Sequence, residues 1–447
     1  MWSLCNQCNQ RVLGPPKSSS VLDNPLIYLI LIEKDEEQGN FKKGLFLVEL
    51  RNREHDFSSK LRQASAIQRL KEYVKWQRRT GEGFPLVYSP ISINLDLTSA
   101  CNFACPYCVD SALINAGKTL TLEEIKDLTD TLHAHGLLSV ILIGGGEPTL
   151  HSDFEAVVEY LKNKGLQIGV VTNGSRFEKI EAVADRFEEK DWIRISIDAA
   201  DEETFKALHR PRIKVTLHQI LQNAKKVKEK NPHLSLGYSF VIVWEGVLIN
   251  GSKLSPNIQE VPRAAGWARD FLFDYISFKP CLVRVEESQR ETLLKNIAPS
   301  KELEITEEIK IQLQRARALA GNNLKVLESS NLRAMLNQET NRIKHQPKRC
   351  HMQFFRTVIT PFGIYHCPAF RGVEIAKISE KDGYFTESKF RKSLERLATS
   401  IETFGAATEC KDVGCFYNET NWWLETLIQS KQDVHEIEKV EDDNFFL

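Results

Sequence analysis

The chain reads as an α/β fold: a partial (β/α)6 barrel, with a small amino-terminal α+β domain before it and a carboxyl-terminal domain containing a β-hairpin after it. Three observations predict this. From residue 91 apolar strands alternate with amphipathic helices, the pattern of right-handed βαβ units around a parallel sheet. The six strands of this run are too few to close an eight-stranded barrel, so the sheet is open or partial. The segments richest in reactive or close-approach residues follow the strands, at the rim where such folds keep their chemistry.

Each element can be read off in order. The strand "ISINLDL" (91–97) precedes the helix "TLEEIKDLTDTLHAHG" (121–136), and "SVILIGG" (139–145) precedes "DFEAVVEYLKNKG" (153–165). Next come "QIGVVTNG" (167–174) with the helix 179–190, "WIRISIDA" (192–199) with a helix near 216–230, "SLGYSFVIV" (235–243) with a helix near 259–272, and last "DYISFKPC" (274–281). Outside this barrel of 91–283, residues 1–20 read as a flexible tail. Residues 21–90 form a small module with strands "LIYLILIE" (26–33) and "GLFLVELR" (44–51) and the helix "ASAIQRLKEYVKWQRR" (64–79). Residues 284–346 are polar and helical, an insertion or linker. Residues 347–425 hold the hairpin "RTVIT" and "IYHC", whose turn carries Pro361 and Gly363, and 426–447 are a tail.

Bulk properties exclude several classes. With 59 basic against 60 acidic residues the net charge is −1, so no overall field draws in nucleic acid or an anionic membrane. The longest apolar run, "LIYLILI", is cut off by Glu33, Lys34 and Asp35, well short of the roughly 18 residues of a membrane span. The amino terminus lacks the basic start and apolar core of a secretory signal, which points to a cytoplasmic chain.

The ten cysteines are too few for a disulfide scaffold and are clustered, as in metal-binding or catalytic sites of a reducing compartment. Cys101, Cys105 and Cys108 follow the first barrel strand; three thiolates are one short of a closed tetrahedral site. "GGGEP" (144–148), "TNG" (172–174) and "SID" (196–198) follow the next three strands, so one rim gathers thiols, glycines and polar groups around one pocket. Taken alone, C-x3-C-x2-C would also suit a zinc knuckle.

The C-x3-C-x2-C spacing, with Tyr107 before the last cysteine and "GGEP" one βα unit later, resembles the radical S-adenosylmethionine (radical SAM) superfamily. The resemblance implies that Cys101, Cys105 and Cys108 hold three irons of a [4Fe–4S] cluster, leaving the fourth open to the amino and carboxyl groups of S-adenosylmethionine. Reduction of the cluster then yields a 5′-deoxyadenosyl radical, which implies an external one-electron donor such as flavodoxin or ferredoxin. It further implies that Gly145, Gly146 and Glu147 contact the methionine ammonium. Asn173 and Ser196 would meet ribose and carboxylate, Arg210 would pair with that carboxylate, and Tyr107 would lie along the adenine.

In the carboxyl-terminal region Cys350 and Cys367 bracket the hairpin, and "ECKDVGC" adds Cys410 and Cys415. Four thiolates suit a tetrathiolate zinc or a second [4Fe–4S] cluster. The arrangement resembles the auxiliary-cluster extension called SPASM or the shorter Twitch, and four cysteines imply a single auxiliary [4Fe–4S] cluster. Cys281, at the end of the sixth barrel strand, is a candidate hydrogen-atom donor to a substrate radical, with Lys279 on the same face; a buried core cysteine and an exposed lysine are the plainer readings. Cys5 and Cys8 form a lone C-x2-C in the tail. The function expected is radical modification of a ribosomally made peptide or protein, by crosslinking or epimerisation, with the amino-terminal module holding the peptide. Oxidation or epimerisation of a small molecule such as a sugar or aminocyclitol is the alternative, and a non-enzymatic metal scaffold a third.

Overall fold

A computed structural model describes residues 32–34, 41–43, 57–81, 83–249, 251–285, 290–293 and 299–440. The chain divides into two compact units, Met1–Asp56 and Phe57–Leu447. Within the first, strands β1 (Ile32–Lys34) and β2 (Phe41–Lys43) pair antiparallel. Strand β1 takes in the end of the expected strand 26–33, and β2 lies just ahead of the one expected over 44–51. The expected strand over 44–51, Cys5 and Cys8 lie outside the described residues.

The second unit is organised on one sheet. Its barrel strands are β3 (Ser92–Leu95), β4 (Ser139–Leu142), β5 (Gln167–Thr172), β6 (Trp192–Ser196) and β7 (Ser235–Ile242). After the small antiparallel pair β8 (Leu248–Ile249) and β9 (Ser252–Lys253) comes β10 (Tyr275–Pro280). A second antiparallel pair, β11 (Leu282–Val285) and β12 (Arg290–Leu293), precedes β13 (Lys325–Glu328), β14 (Arg356–Thr360), β15 (Gly363–Tyr365) and β16 (Lys377–Ser379). The order is β13-β10-β7-β6-β5-β4-β3-β14-β15-β16. Every pair from β13 to β14 is parallel, and β15 and β16 add antiparallel. Because β13 and β16 are the two ends, the barrel is partial, as expected. The six strands read from sequence are its centre. Strands β3 and β4 are buried at every position, as a sheet covered on both faces requires.

The helices are α1 (Phe57–Arg62), α2 (Ile67–Gln77), α3 (Leu122–Ala134), α4 (Phe154–Asn163), α5 (Phe177–Ala182), α6 (Glu202–His209), α7 (Leu217–Lys230), α8 (Val261–Asp270), α9 (Pro299–Ala320), α10 (Ser330–Leu336), α11 (Thr340–Lys344), α12 (Glu387–Thr403), α13 (Ala406–Glu409) and α14 (Asn418–Gln429). Two of the barrel helices start on capping boxes, Thr121 with Glu124 and Thr216 with Gln219. Each buries one apolar stripe, such as Ile125, Leu128 and Leu132 of α3 or Phe154, Val157, Val158 and Leu161 of α4. Among the described residues no helix is long and apolar enough to cross a membrane.

Three expectations about boundaries change. Helix α2, read as part of the 21–90 module, belongs to the unit that holds the sheet. Its Tyr73 stacks on Phe354 with ring centroids 4.8 Å apart and hydrogen-bonds His351 Nδ1 at 2.7 Å. The stretch 284–346, read as a linker, contributes β13, which lengthens the parallel sheet beyond β10, and α9, which packs on α8. The tail expected after 425 begins inside α14. The terminal carbonyls of α14 accept from one guanidinium: Arg78 Nη2 donates to Leu427 O at 2.6 Å and Nε to Ile428 O at 3.1 Å.

Buried Arg69 on α2 donates to Ser89 O at 2.7 Å and Gly136 O at 2.8 Å, fixing α2 to the loops that lead into β3 and β4. Arg69→Met strands both carbonyls and is expected to lower unfolding stability by about 2 kcal/mol, read from urea melts. An unchanged midpoint would show that α2 is not held to the barrel through this residue.

Candidate active site

The rim is built around the loop that follows β3. A bridge joins Thr98 to Thr119, with their hydroxyls 2.8 Å apart; Ser99 N donates to Lys118 O at 2.8 Å, and Asn115 Oδ1 accepts from Cys101 N at 2.9 Å. The far side is held by α6: Ala104 N lies 3.1 Å from His209 O and 3.2 Å from Arg210 O, while Arg212 N donates to Asn102 O at 2.9 Å. Cys101, Cys105 and Cys108 are thereby presented half-buried from one fixed loop. The backbone N–H of Phe103 reaches the Cys101 sulfur and that of Asp110 the Cys108 sulfur. Burial nevertheless dominates and pushes Cys108 up to about 12, with the charge of Asp110 adding to the rise. Cys105 is raised well above the ordinary thiol range by burial and by crowding from Cys108 and Cys101.

The glycine loop lies directly against this one. A Cβ on Gly146 would come within 2.5 Å of both Thr98 O and Ala100 O, so only glycine permits the approach; Glu147 N then donates to Ala100 O at 2.8 Å. A Cβ on Gly145 would meet protein atoms no nearer than 3.6 Å. Those atoms belong to Asp96 and Leu113, in ordinary contact, so packing alone does not require glycine at 145.

Glu147 is bonded on both carboxylate oxygens by the protein itself. It is buried, and Oε1 accepts from Thr149 N at 3.1 Å, Thr149 Oγ1 at 2.6 Å and Thr172 Oγ1 at 2.7 Å, while Oε2 accepts from Asn173 N at 2.7 Å. Burial raises its pKa and these bonds oppose the rise. The carboxylate is thus a brace between the loops after β4 and β5. Asn173 donates from Nδ2 to Asn102 Oδ1 at 2.9 Å, and Asn102 Nδ2 donates to Ser175 Oγ at 2.8 Å, which joins the third loop to the cysteines.

Tyr107 points inward and donates to Asp198 Oδ2 at 2.7 Å; Asp198 Oδ1 accepts from Val241 N at 2.7 Å. Its phenol is thus a tie to the loop after β6. His209, buried below, has Nε2 2.8 Å from Ile197 O and Nδ1 3.3 Å from the Cys105 sulfur. Cys281 is fully buried at the end of β10, and burial together with the charge of Asp198 pushes its thiol up to about 12. Tyr107 in turn feels the charge of Cys281. Cys281 therefore faces the same interior as Tyr107 and Asp198. Lys279 and Ser196 are half-buried at the ends of β10 and β6. The Arg210 side chain is exposed, and its contribution to the loop is the carbonyl that faces Ala104 N.

The second group is equally localised. Cys350, Cys367 and Cys415 pack against a small cluster that contains buried Cys410, Val358, Phe370 and Phe404. Backbone N–H groups of Gln353 and Met352 reach the Cys350 sulfur, and those of Tyr417 and Asn418 reach Cys415. Between the two groups runs buried Arg371, whose Nη1 lies 2.9 Å from Asp110 Oδ2 and whose Nε lies 2.8 Å from Asp96 Oδ2. Asp96 also accepts from Gly145 N at 3.0 Å. Asp96, Asp110, Arg371, His209 and Asp198 were not singled out from sequence; Asp110 and Arg371 lie within four residues of a cysteine, Asp198 ends "SID" and His209 adjoins Arg210.

Residues 95–246 match the family model described as the Radical SAM superfamily. The matched stretch, about a third of the chain, is similar to the radical SAM superfamily. Over 117 residues it is 37% identical to the S-adenosylmethionine-dependent nucleotide dehydratase of Selenomonas ruminantium, which covers 26% of this chain and 42% of that protein. Over another 117-residue match it is 35% identical to the mycofactocin maturase MftC of Mycolicibacterium smegmatis, covering 26% and 29% of the two chains. The chain thus spans less than half the length of either relative. A crystal structure of Streptococcus suis SuiB bound to S-adenosylmethionine shares the fold, with a TM-score of 0.53 at 15% identity over 80% of this chain and 78% of that one. The radical SAM match runs from the end of β3 to just past β7 and contains all three cysteines of the first loop. Their thiols and the N–H groups directed at them fit the superfamily's [4Fe–4S] cluster.

Burial pushes Asp96 up to about 7, although Arg371 and the Gly145 N–H pull it down. The folded chain then binds more protons than the unfolded chain between pH 3.8 and about 7, so this residue's contribution to stability falls as pH rises through that window. Asp96→Asn removes the effect. Urea melts from pH 4 to 8 are expected to show a shallower decline in the variant, and an identical slope would reject the shift.

Proposed function

We propose that this chain is a radical SAM enzyme of the cytoplasm that modifies a ribosomally made peptide or protein, by crosslinking or epimerisation, and carries one auxiliary [4Fe–4S] cluster. The observation that carries the reading is the gathering of the cysteines into two separate thiol groups on one continuous sheet, three on the loop after β3 and four around the β14–β15 hairpin.

Cys101, Cys105 and Cys108 would hold the first cluster, and Cys350, Cys367, Cys410 and Cys415 the second. Bound together, the first cluster and S-adenosylmethionine supply a 5′-deoxyadenosyl radical that takes a hydrogen atom from the substrate, given an electron from an external donor such as flavodoxin or ferredoxin. Gly145 and Gly146 admit the methionine end, and Glu147 holds the glycine loop against the cysteine loop. Asn173 and Ser196 stand at the strand ends for ribose and carboxylate, and Tyr107 closes one side. Arg210, exposed at the end of α6, would have to turn inward to meet the carboxylate. Cys281 would return a hydrogen atom in an epimerisation, with Lys279 toward the substrate.

The peptide substrate is supported by the names of relatives: MftC is a maturase, and SuiB has also been crystallised bound to its precursor peptide, in a structure sharing this fold with a TM-score of 0.51. The nucleotide dehydratase favours the second reading, a small-molecule substrate. Iron and acid-labile sulfide after anaerobic reconstitution are expected at about eight irons per wild-type chain and about four in the Cys101/Cys105/Cys108→Ala variant. Four falling to none would remove the auxiliary cluster. Cys281→Ala is expected to abolish epimerised product while S-adenosylmethionine is still cleaved; undiminished product would dismiss the donor role.

A further inference from the structure

The carboxyl-terminal thiol group is gripped by a residue with no local signal in the sequence. Asn421, on α14, is 1% exposed. Its Nδ2 donates to the Cys350 sulfur at 3.7 Å, and its Oδ1 accepts from His351 N at 2.9 Å and Met352 N at 3.1 Å. One side chain therefore holds both the sulfur and the two peptide groups that follow it. The ring of His351 is fixed in turn, with Nδ1 2.7 Å from the Tyr73 hydroxyl and Nε2 2.8 Å from Glu425 Oε2.

A neutral thiol is a weak acceptor, and a buried amide gains little by spending an N–H on it. An anionic sulfur gains much more. A buried cation also stands on the far side of the Tyr417 ring from this group. Buried Arg356 lies 5.0 Å from the Phe57 ring and 5.8 Å from the Tyr417 ring, and donates to Asn94 Oδ1 at 2.9 Å; among the described residues no carboxylate pairs with it. The Tyr417 phenol lies within electrostatic reach of Arg356, Cys367 and Cys415 together.

We propose that Asn421 is a positioning residue of the auxiliary centre, whose N–H on the Cys350 sulfur raises the centre's reduction potential by stabilising its more negative, reduced state. This rests on the auxiliary cluster proposed above. Hydrogen bonds to cluster sulfurs set such potentials.

The test uses the full chain with Cys101, Cys105 and Cys108 changed to alanine, so that only the auxiliary centre is present, and follows its reduction by electron paramagnetic resonance at poised potentials. Asn421→Asp keeps the acceptor for His351 N and Met352 N but replaces the N–H donor with an anionic oxygen. The expected result is a fall of at least tenfold in the reduced-to-oxidised ratio at fixed potential, a shift of about 59 mV to more negative values for one electron. Full iron content with an unchanged potential overturns the proposal and leaves the auxiliary cluster standing. Absence of iron and sulfide from the chain that keeps Asn421 overturns both. A measurement without the aspartate variant covers the case in which it fails to fold: asparagine labelled with 15N in its side-chain amide should give a nitrogen modulation in the pulsed spectrum of the reduced centre. Its absence overturns the role of Asn421.

Discussion

The Arg371 guanidinium lies 2.8 Å from Asp96 and 2.9 Å from Asp110, and through them it holds together three loops that are far apart in sequence. Asp96 lies beneath the glycine loop, Asp110 two residues beyond Cys108, and Arg371 four residues beyond Cys367. All three side chains are buried. Removing one partner from such a buried set costs about 3–5 kcal/mol, because the remaining charge is left uncompensated. The glycine loop, the cysteine loop and the hairpin domain are therefore obliged to keep one relative arrangement. The parallel pairing of β14 with β3 gives the same constraint at the level of the backbone, since the strand that opens the hairpin adjoins the strand that ends at the first cysteines.

Within that frame, the rim is set by hydrogen bonds between loops more than by packing within them. Glu147 receives four bonds from three residues, and its own N–H bonds Ala100 across the gap that Gly146 leaves open. Asn102 and Asn173 continue the chain of contacts to Ser175. A buried carboxylate with this many donors is both expensive to misplace and cheap to keep, which is how a loop without regular structure can hold a fixed shape.

This explains which parts could be read in the sequence. The strands 139–145, 167–174 and 235–243 and the helices beside them were legible because their periodicity is local and their apolar faces are unbroken. The cysteines were legible because thiols in a set spacing have few other uses. Strand β13 escaped because "KVLE" is short and polar at its ends, and only the neighbouring edge of β10 makes it a strand. The length of α14 escaped because the carbonyls at its end are satisfied by Arg78, some 350 residues earlier. Arg371 with Asp110, 261 residues apart, and Asn421 with Cys350, 71 apart, carry no local signal at all. Glu147 was legible as a carboxylate of the rim, whereas the Thr149, Thr172 and Asn173 donors around it were not, because a motif does not show which neighbours a residue bonds.

The two thiol groups differ in electrostatic surroundings, and the difference follows from the same contacts. Around Cys105 the groups that act through charge are Cys108, Cys101 and Asp198, and all of them oppose ionisation. At Cys108 the opposing charge of Asp110 is itself neutralised in part by Arg371, which also acts on the thiol directly. At the first site the protein's positive charge comes from Arg371 at Cys108 and Arg212 at Cys101. At the second, the Asn421 amide donates directly to the Cys350 sulfur. A tetrathiolate centre closed by protein ligands has to be stabilised by its surroundings alone, whereas a centre with an open position can share its charge with a ligand. On the proposed reading of two clusters, Asn421 meets that demand at the second group.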